Sequence, residues 1–195
     1  MKKSISIFLA TFLFLGMISL VYYGCKKKEE TPPPQVPAHC SDGIIDQGEL
    51  DTDCGGECSA CAAITAPCTP TSNTASLSGS PTLNITYVSC LMDHGNYVMT
   101  GNSSNGDIVI TLSGAMPTVD RAYFFKPGAG PSTILDEGQA TIQMCKGFAG
   151  CFYASTGKLY VAIKSGKVEV TFCNITFNGD QTSGNFTGTG RVICQ

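Results

Sequence analysis

The chain has 195 residues, enough for one ordinary domain with a small companion and too few for two large ones. Twelve Lys and Arg stand against fifteen Asp and Glu, a formal net charge of −3, and no stretch forms the clustered basic face by which proteins hold nucleic acid. No nucleic-acid partner is expected, and the lack of tryptophan argues against an aromatic platform for sugars.

Residues 1–24 read as a secretory signal: Lys2 and Lys3 are followed by an apolar run from Ile5 to Val21, then Gly24-Cys25. A small residue directly before a cysteine resembles the lipobox of bacterial lipoproteins, with Tyr22 where leucine is usual. The resemblance implies cleavage before Cys25 and a palmitate-type lipid on it. The competing reading is an uncleaved single span, since about 17 apolar residues is the lower edge for crossing a bilayer. Residues 25–38 hold Thr31-Pro32-Pro33-Pro34 and Pro37, an extended, semi-rigid tether. Lys28-Glu29-Glu30 resembles the signal that follows the acylated cysteine in Bacteroidetes-type lipoproteins and routes them to the cell surface. The expected address is therefore the outer membrane, lipid-anchored and facing outward, with the periplasmic face as the alternative.

Residues 39–71 form a cysteine-rich acidic module. Between Cys40 and Cys61 lie six acidic residues and no basic one. Ile44, Ile45 and Leu50 are its only large aliphatic side chains between those cysteines, too few to offset chain entropy without covalent or ionic help. The run Cys40-Ser-Asp-Gly, then acidic residues, then Asp53-Cys54-Gly-Gly-Glu-Cys58-Ser-Ala-Cys61 resembles a cysteine-rich motif of bacterial surface proteins, which names a module and no activity. Asp42, Asp46, Glu49, Asp51 and Asp53, with Gly43 and Gly48 permitting tight turns, are candidate Ca²⁺ ligands, because calcium takes six to eight oxygens. The EF-hand spacing is absent, so a solvated acidic loop stands beside that reading. Cys54, Cys58 and Cys61, with His39 and Cys40, have ligand types suited to zinc, but exported thiols more often oxidise.

Setting Cys25 aside leaves ten of the eleven cysteines, an even number for five disulfides: Cys40, Cys54, Cys58, Cys61, Cys68, Cys90, Cys145, Cys151, Cys173 and Cys194. Five fall in residues 40–68 and five in 90–194, so full pairing requires a bridge between the sets. The expected pairs are Cys68 with Cys90, Cys145 with Cys151, and Cys173 with Cys194.

From residue 72 to 195 the composition turns to Thr, Ser, Gly, Val, Ile and aromatics. Apolar residues alternate at Ile108, Ile110, Leu112, at Leu159, Val161, Ile163 and at Val168, Val170, Phe172. Ser165-Gly166 and Asn105-Gly106 are two-residue hairpin signals. Further strands are expected at 83–89, 97–100, 121–125, 139–144, 151–154 and 185–193. The fold class is all-β: an antiparallel β-sandwich or barrel of about nine strands, preceded by the small disulfide-rich module.

Little points to catalysis. The chain has two histidines, His39 and His94, and no Gly-x-Ser-x-Gly elbow; Asp93-His94-Gly95-Asn96 reads as a turn. Tyr123-Phe124-Phe125 cannot all face one side, so one ring points outward or into a partner. The sequons at Asn84, Asn102, Asn174 and Asn185 reflect Asn, Ser and Thr enrichment. The expected function is non-enzymatic: a surface lipoprotein whose β-domain binds an extracellular ligand or an envelope protein. The alternative is an envelope hydrolase whose loop-built site uses His94 as base.

Overall fold

The structure is a computed structural model that describes residues 36–45, 48–127, 133–147, 150–180 and 184–194. The signal segment, Cys25, most of the tether and Asp46 lie outside the described residues. Among the described residues no helix is long and apolar enough to cross a membrane. After a 3-10 turn at Ala38–Ser41 the described residues form eleven strands: β1 Thr74–Leu77, β2 Leu83–Asn84, β3 Tyr87–Asp93, β4 Asn96–Ser103, β5 Gly106–Leu112, β6 Arg121–Phe125, β7 Gln139–Cys145, β8 Cys151–Thr156, β9 Lys158–Lys164, β10 Lys167–Gly179 and β11 Asn185–Ile193. The all-β reading holds, with two more strands than expected because 83–89 divides into β2 and the start of β3, and β1 is only four residues long, too short for its alternation to stand out.

The strands run β2-β1-β11-β10-β9-β6-β7-β5-β4-β3 through one sheet, and β8 pairs with both β10 and β7. Every pairing is antiparallel except β6 with β7, which makes the sheet mixed. Two wings, β7-β5-β4-β3 and β10-β11-β1-β2, supply one shared core in which Ile108, Ile110, Leu112, Val168, Val170 and Phe172 are fully buried. A sheet that supplies one core from both ends must fold over on itself, as a sandwich does. Strands β6 and β9 join the wings on one side and β8 joins them on the other.

Local chemistry explains the corners. Ser165-Gly166 and His94-Gly95 link their strands with positive φ at both central residues, 53° and 76°, then 48° and 81°, as tight primed hairpins demand. The β4–β5 loop is Ser104-Asn105, one residue earlier than expected: Ser103 already pairs with Gly106, and the Ser103 hydroxyl donates to the Gly106 carbonyl at 2.8 Å. Strand β10 changes partners along its length, pairing with β9 up to Phe172 and with β8 from Thr176. The bulge between Phe172 and Ile175, with Asn174 at φ 50°, re-aims the strand between those partners.

The disulfides are Cys40–Cys58, Cys54–Cys61, Cys68–Cys173, Cys90–Cys194 and Cys145–Cys151. Cys145–Cys151 is the expected pair, and Cys68–Cys173 is the bridge between the two sets. The other two expectations, Cys68–Cys90 and Cys173–Cys194, are corrected. Register is the reason: Ile193 pairs with Glu169 and the Cys194 amide donates to the Val168 carbonyl. That places Cys194 five residues of strand from Cys173, about 17 Å, far beyond disulfide reach.

Candidate functional site

The parallel pairing of β6 and β7 covers only Phe124 and Phe125, so on that side the start of β6 lacks a neighbouring strand. The module fills the gap. The Ala122 amide donates to the Leu50 carbonyl at 2.7 Å, and Arg121 Nη2 donates to the Glu49 carbonyl at 3.2 Å. Beside them the Gly48 amide donates to Glu137 Oε1 at 3.1 Å, and Lys158 Nζ pairs with Asp51 Oδ1 at 2.6 Å. Ile45 is buried and packs on Gly138, where an added Cβ would lie 2.5 Å from the Ile45 carbonyl oxygen. Ile44, by contrast, is exposed. One of the module's few aliphatic residues thus joins the packing of the β-region.

Within the module, the Leu50 amide donates to the Cys54 carbonyl and the Cys58 amide to the Gly55 carbonyl, folding two tight turns that the Cys54–Cys61 bridge closes. The acidic side chains follow separate donors. Asp42 Oδ1 accepts from the Ile44 amide and Asp53 Oδ1 from the Gly43 amide, each at 2.9 Å. Asp51 takes Lys158, and Glu49 is fully buried with Oε1 3.1 Å from Cys58 Sγ. The structure therefore does not gather Asp42, Glu49, Asp51 and Asp53 around one point. Among the described residues, the grouping of ligand atoms compact enough for a metal is His39, Cys40, Glu49 and Cys58, all within 4.8 Å of one another. Reading the sequence placed Glu49 with the aspartates and His39 with the cysteines; no spacing rule marks the pairing of Glu49 with Cys58, nine residues on.

Next to the docked module lies a cleft of about 420 Å³, lined by residues 113–119, Arg121, Tyr123 and Glu137. The Arg121 guanidinium lies 4.8 Å from the Tyr123 ring centre, and burial pushes the Tyr123 hydroxyl above its ordinary pKa, with Arg121 opposing and Glu137 adding to the rise. Ser113 Oγ and Arg121 Nε are buried without hydrogen-bond partners. Such groups are costly unless a ligand or ordered water meets them. Of the three consecutive aromatics, Tyr123 and Phe125 enter the core, and the outward ring, Phe124, is covered by Lys158 at 5.3 Å.

His94 sits at the tip of the β3–β4 hairpin with its side chain 74 % exposed, and its Nδ1 lies 2.8 Å from the carboxylate of neighbouring Asp93. The turn expected for Asp93–Asn96 is present. All four sequon asparagines are exposed. Comparison with family models, with curated proteins and with solved structures finds no match to this chain.

Proposed function

We propose that the chain is a non-enzymatic lipoprotein of the outer membrane, facing outward, that presents a disulfide-closed β-domain for binding an extracellular ligand or an envelope protein. The observation that carries this reading is the cysteine pairing. Ten cysteines close among themselves as five disulfides, so Cys25 is the odd one and has a different fate, for which the flanking sequence supplies a lipid. Five bridges also suit an oxidising compartment. The cleft beside Arg121, Tyr123 and Glu137 is the favoured binding surface, because it combines an apolar rim at Met116, Pro117 and Val119 with buried polar atoms.

Metabolic labelling with an alkyne-bearing fatty acid tests the anchor. Label is expected on the parent chain and lost in Cys25→Ser, which should also retain residues 1–24. Normal maturation of that variant would defeat the lipoprotein reading. Protease treatment of intact cells reports the face of the membrane, and a glycan and polymer array probed with the chain lacking residues 1–25 reports the ligand.

A further inference from the structure

We infer that His39, Cys40, Glu49 and Cys58 form a site for a zinc-like divalent metal that becomes available when the Cys40–Cys58 bridge is reduced. Two thiolates, an imidazole and a carboxylate are a normal tetrahedral zinc set, with metal–ligand bonds of about 2.0–2.3 Å and ligand atoms therefore about 3.5 Å apart. The four donors already lie within 4.8 Å, so closing on an ion needs side-chain shifts of only about 1 Å.

Three further observations support the site. His39 Nε2 is buried and makes no hydrogen bond, leaving a ligand atom with no other task in the fold. Glu49 Oε1 stands 3.1 Å from Cys58 Sγ, and a bridged sulfur has no proton to donate to a carboxylate. Two electron-rich atoms at that distance inside the protein are well placed to be neighbours on one cation. Finally, two thiolates and a carboxylate around a doubly charged ion leave one net negative charge, and Arg121 lies alongside, donating to the Glu49 carbonyl at 3.2 Å.

The chemistry balances as follows. A dithiol passes two electrons and two protons to the Cys40–Cys58 bond and closes to its own disulfide, and two cysteine thiols form. Metal binding then releases both thiol protons to solvent. The donors stay close after reduction because other bonds hold their segments: the Gly43 amide, three residues past Cys40, donates to Asp53 Oδ1, the Cys58 amide donates to the Gly55 carbonyl, and Leu50, next to Glu49, is bonded to Ala122. The module thus has two closures, a disulfide where thiols oxidise and a metal where they do not.

The test treats the full chain, held in detergent, with a dithiol until alkylation and mass spectrometry show Cys40 and Cys58 as free thiols. It is then titrated with Co²⁺ and Zn²⁺. Tetrahedral cobalt bands with sulfur-to-metal charge transfer are expected in the reduced chain and not in the oxidised one, with Zn²⁺ displacing Co²⁺. His39→Ala and Glu49→Gln, which leave the thiols intact, should each weaken binding by at least about tenfold. Cys54→Ser with Cys61→Ser should leave it, which separates this site from the neighbouring bridge. The inference is overturned if the reduced chain takes up no cobalt or loses its fold with metal failing to restore it. It is also overturned if His39→Ala and Glu49→Gln bind as the parent does, or if binding follows Cys54 and Cys61.

Discussion

Asp51 and Lys158 stand 107 residues apart in the chain and 2.6 Å apart in the fold, with side chains 24 % and 29 % exposed. The pair ties the module to β9, and Asp51 Oδ1 also accepts from the Thr52 amide at 2.7 Å. An ion pair this accessible contributes about 1 kcal/mol at most. A double-mutant cycle with Asp51→Asn and Lys158→Met, followed by thermal or urea unfolding, should return a coupling of that size that shrinks with added salt. Because Lys158 already answers the Asp51 charge, Asp51→Asn should lower the melting midpoint equally in millimolar Ca²⁺ and in chelator. A loss confined to the calcium samples would mean that the aspartate serves a cation instead.

Non-reducing peptide mapping should recover Cys68 with Cys173 and Cys90 with Cys194. These bridges close loops of 105 and 104 residues, and removing a native disulfide from a small domain costs about 2–5 kcal/mol. Replacing both members of either pair by serine should therefore lower stability by that order, whereas Cys68→Ser with Cys90→Ser would break both bridges at once. Recovery of a Cys173–Cys194 peptide would contradict the register of β10 and β11.

Phe172 and Phe177 are fully buried, and their rings lie against Gly190 and Gly188 of β11. An added Cβ would approach the Phe172 ring to 2.5 Å at Gly190 and the Phe177 ring to 2.3 Å at Gly188. Gly190→Ala should cost about 1–3 kcal/mol through overpacking, and trimming the ring with Phe172→Leu should recover part of that loss. Thr187→Ala, at an exposed position of the same strand, is the control and should change stability by less than about 0.5 kcal/mol. Equal melting of Gly190→Ala and the control would show that the ring can move aside.

These elements also mark how far the sequence is legible. Period-two alternation exposes β5, β9 and β10, because burying one face of a strand writes itself into every second residue. Cys145–Cys151 is legible since its loop is short. The remaining pairings depend on which strands lie side by side, and the bulge at Cys173 and Asn174 and the double pairing of β8 leave no local pattern. The same holds for the module's docking, which rests on main-chain bonds such as Ala122 to Leu50, invisible in side-chain types. Glu49 is the clearest case: among exposed acids it reads as one more solvated carboxylate, yet contacts from β6 and from the Cys40–Cys58 bridge bury it completely.

Glu169 offers a test by pH. It is buried at 6 % exposure on β10, where burial alone would raise its pKa, but hydrogen bonds and charge from Arg191 and Lys164 outweigh burial and hold it below the ordinary glutamate value. A carboxylate whose folded pKa is lowered binds fewer protons folded than unfolded in the window between the two values, so stability falls as pH falls through that window. Its contribution is complete above the ordinary glutamate range and lost as pH drops below the lowered folded value. Glu169→Gln keeps the shape and removes the charge, and hydrogen bonds to charged groups contribute about 1.5–3 kcal/mol, so the variant should be less stable by about 2 kcal/mol at neutral pH. As the solution is acidified the parent should lose that advantage and the two unfolding curves should converge. Arg191 would then be left beside an uncharged partner in both proteins, with its Nε still buried and without a hydrogen-bond partner. A gap between parent and variant that stayed constant from neutral pH down past the glutamate range would mean that the Glu169 charge contributes nothing and that only its shape matters.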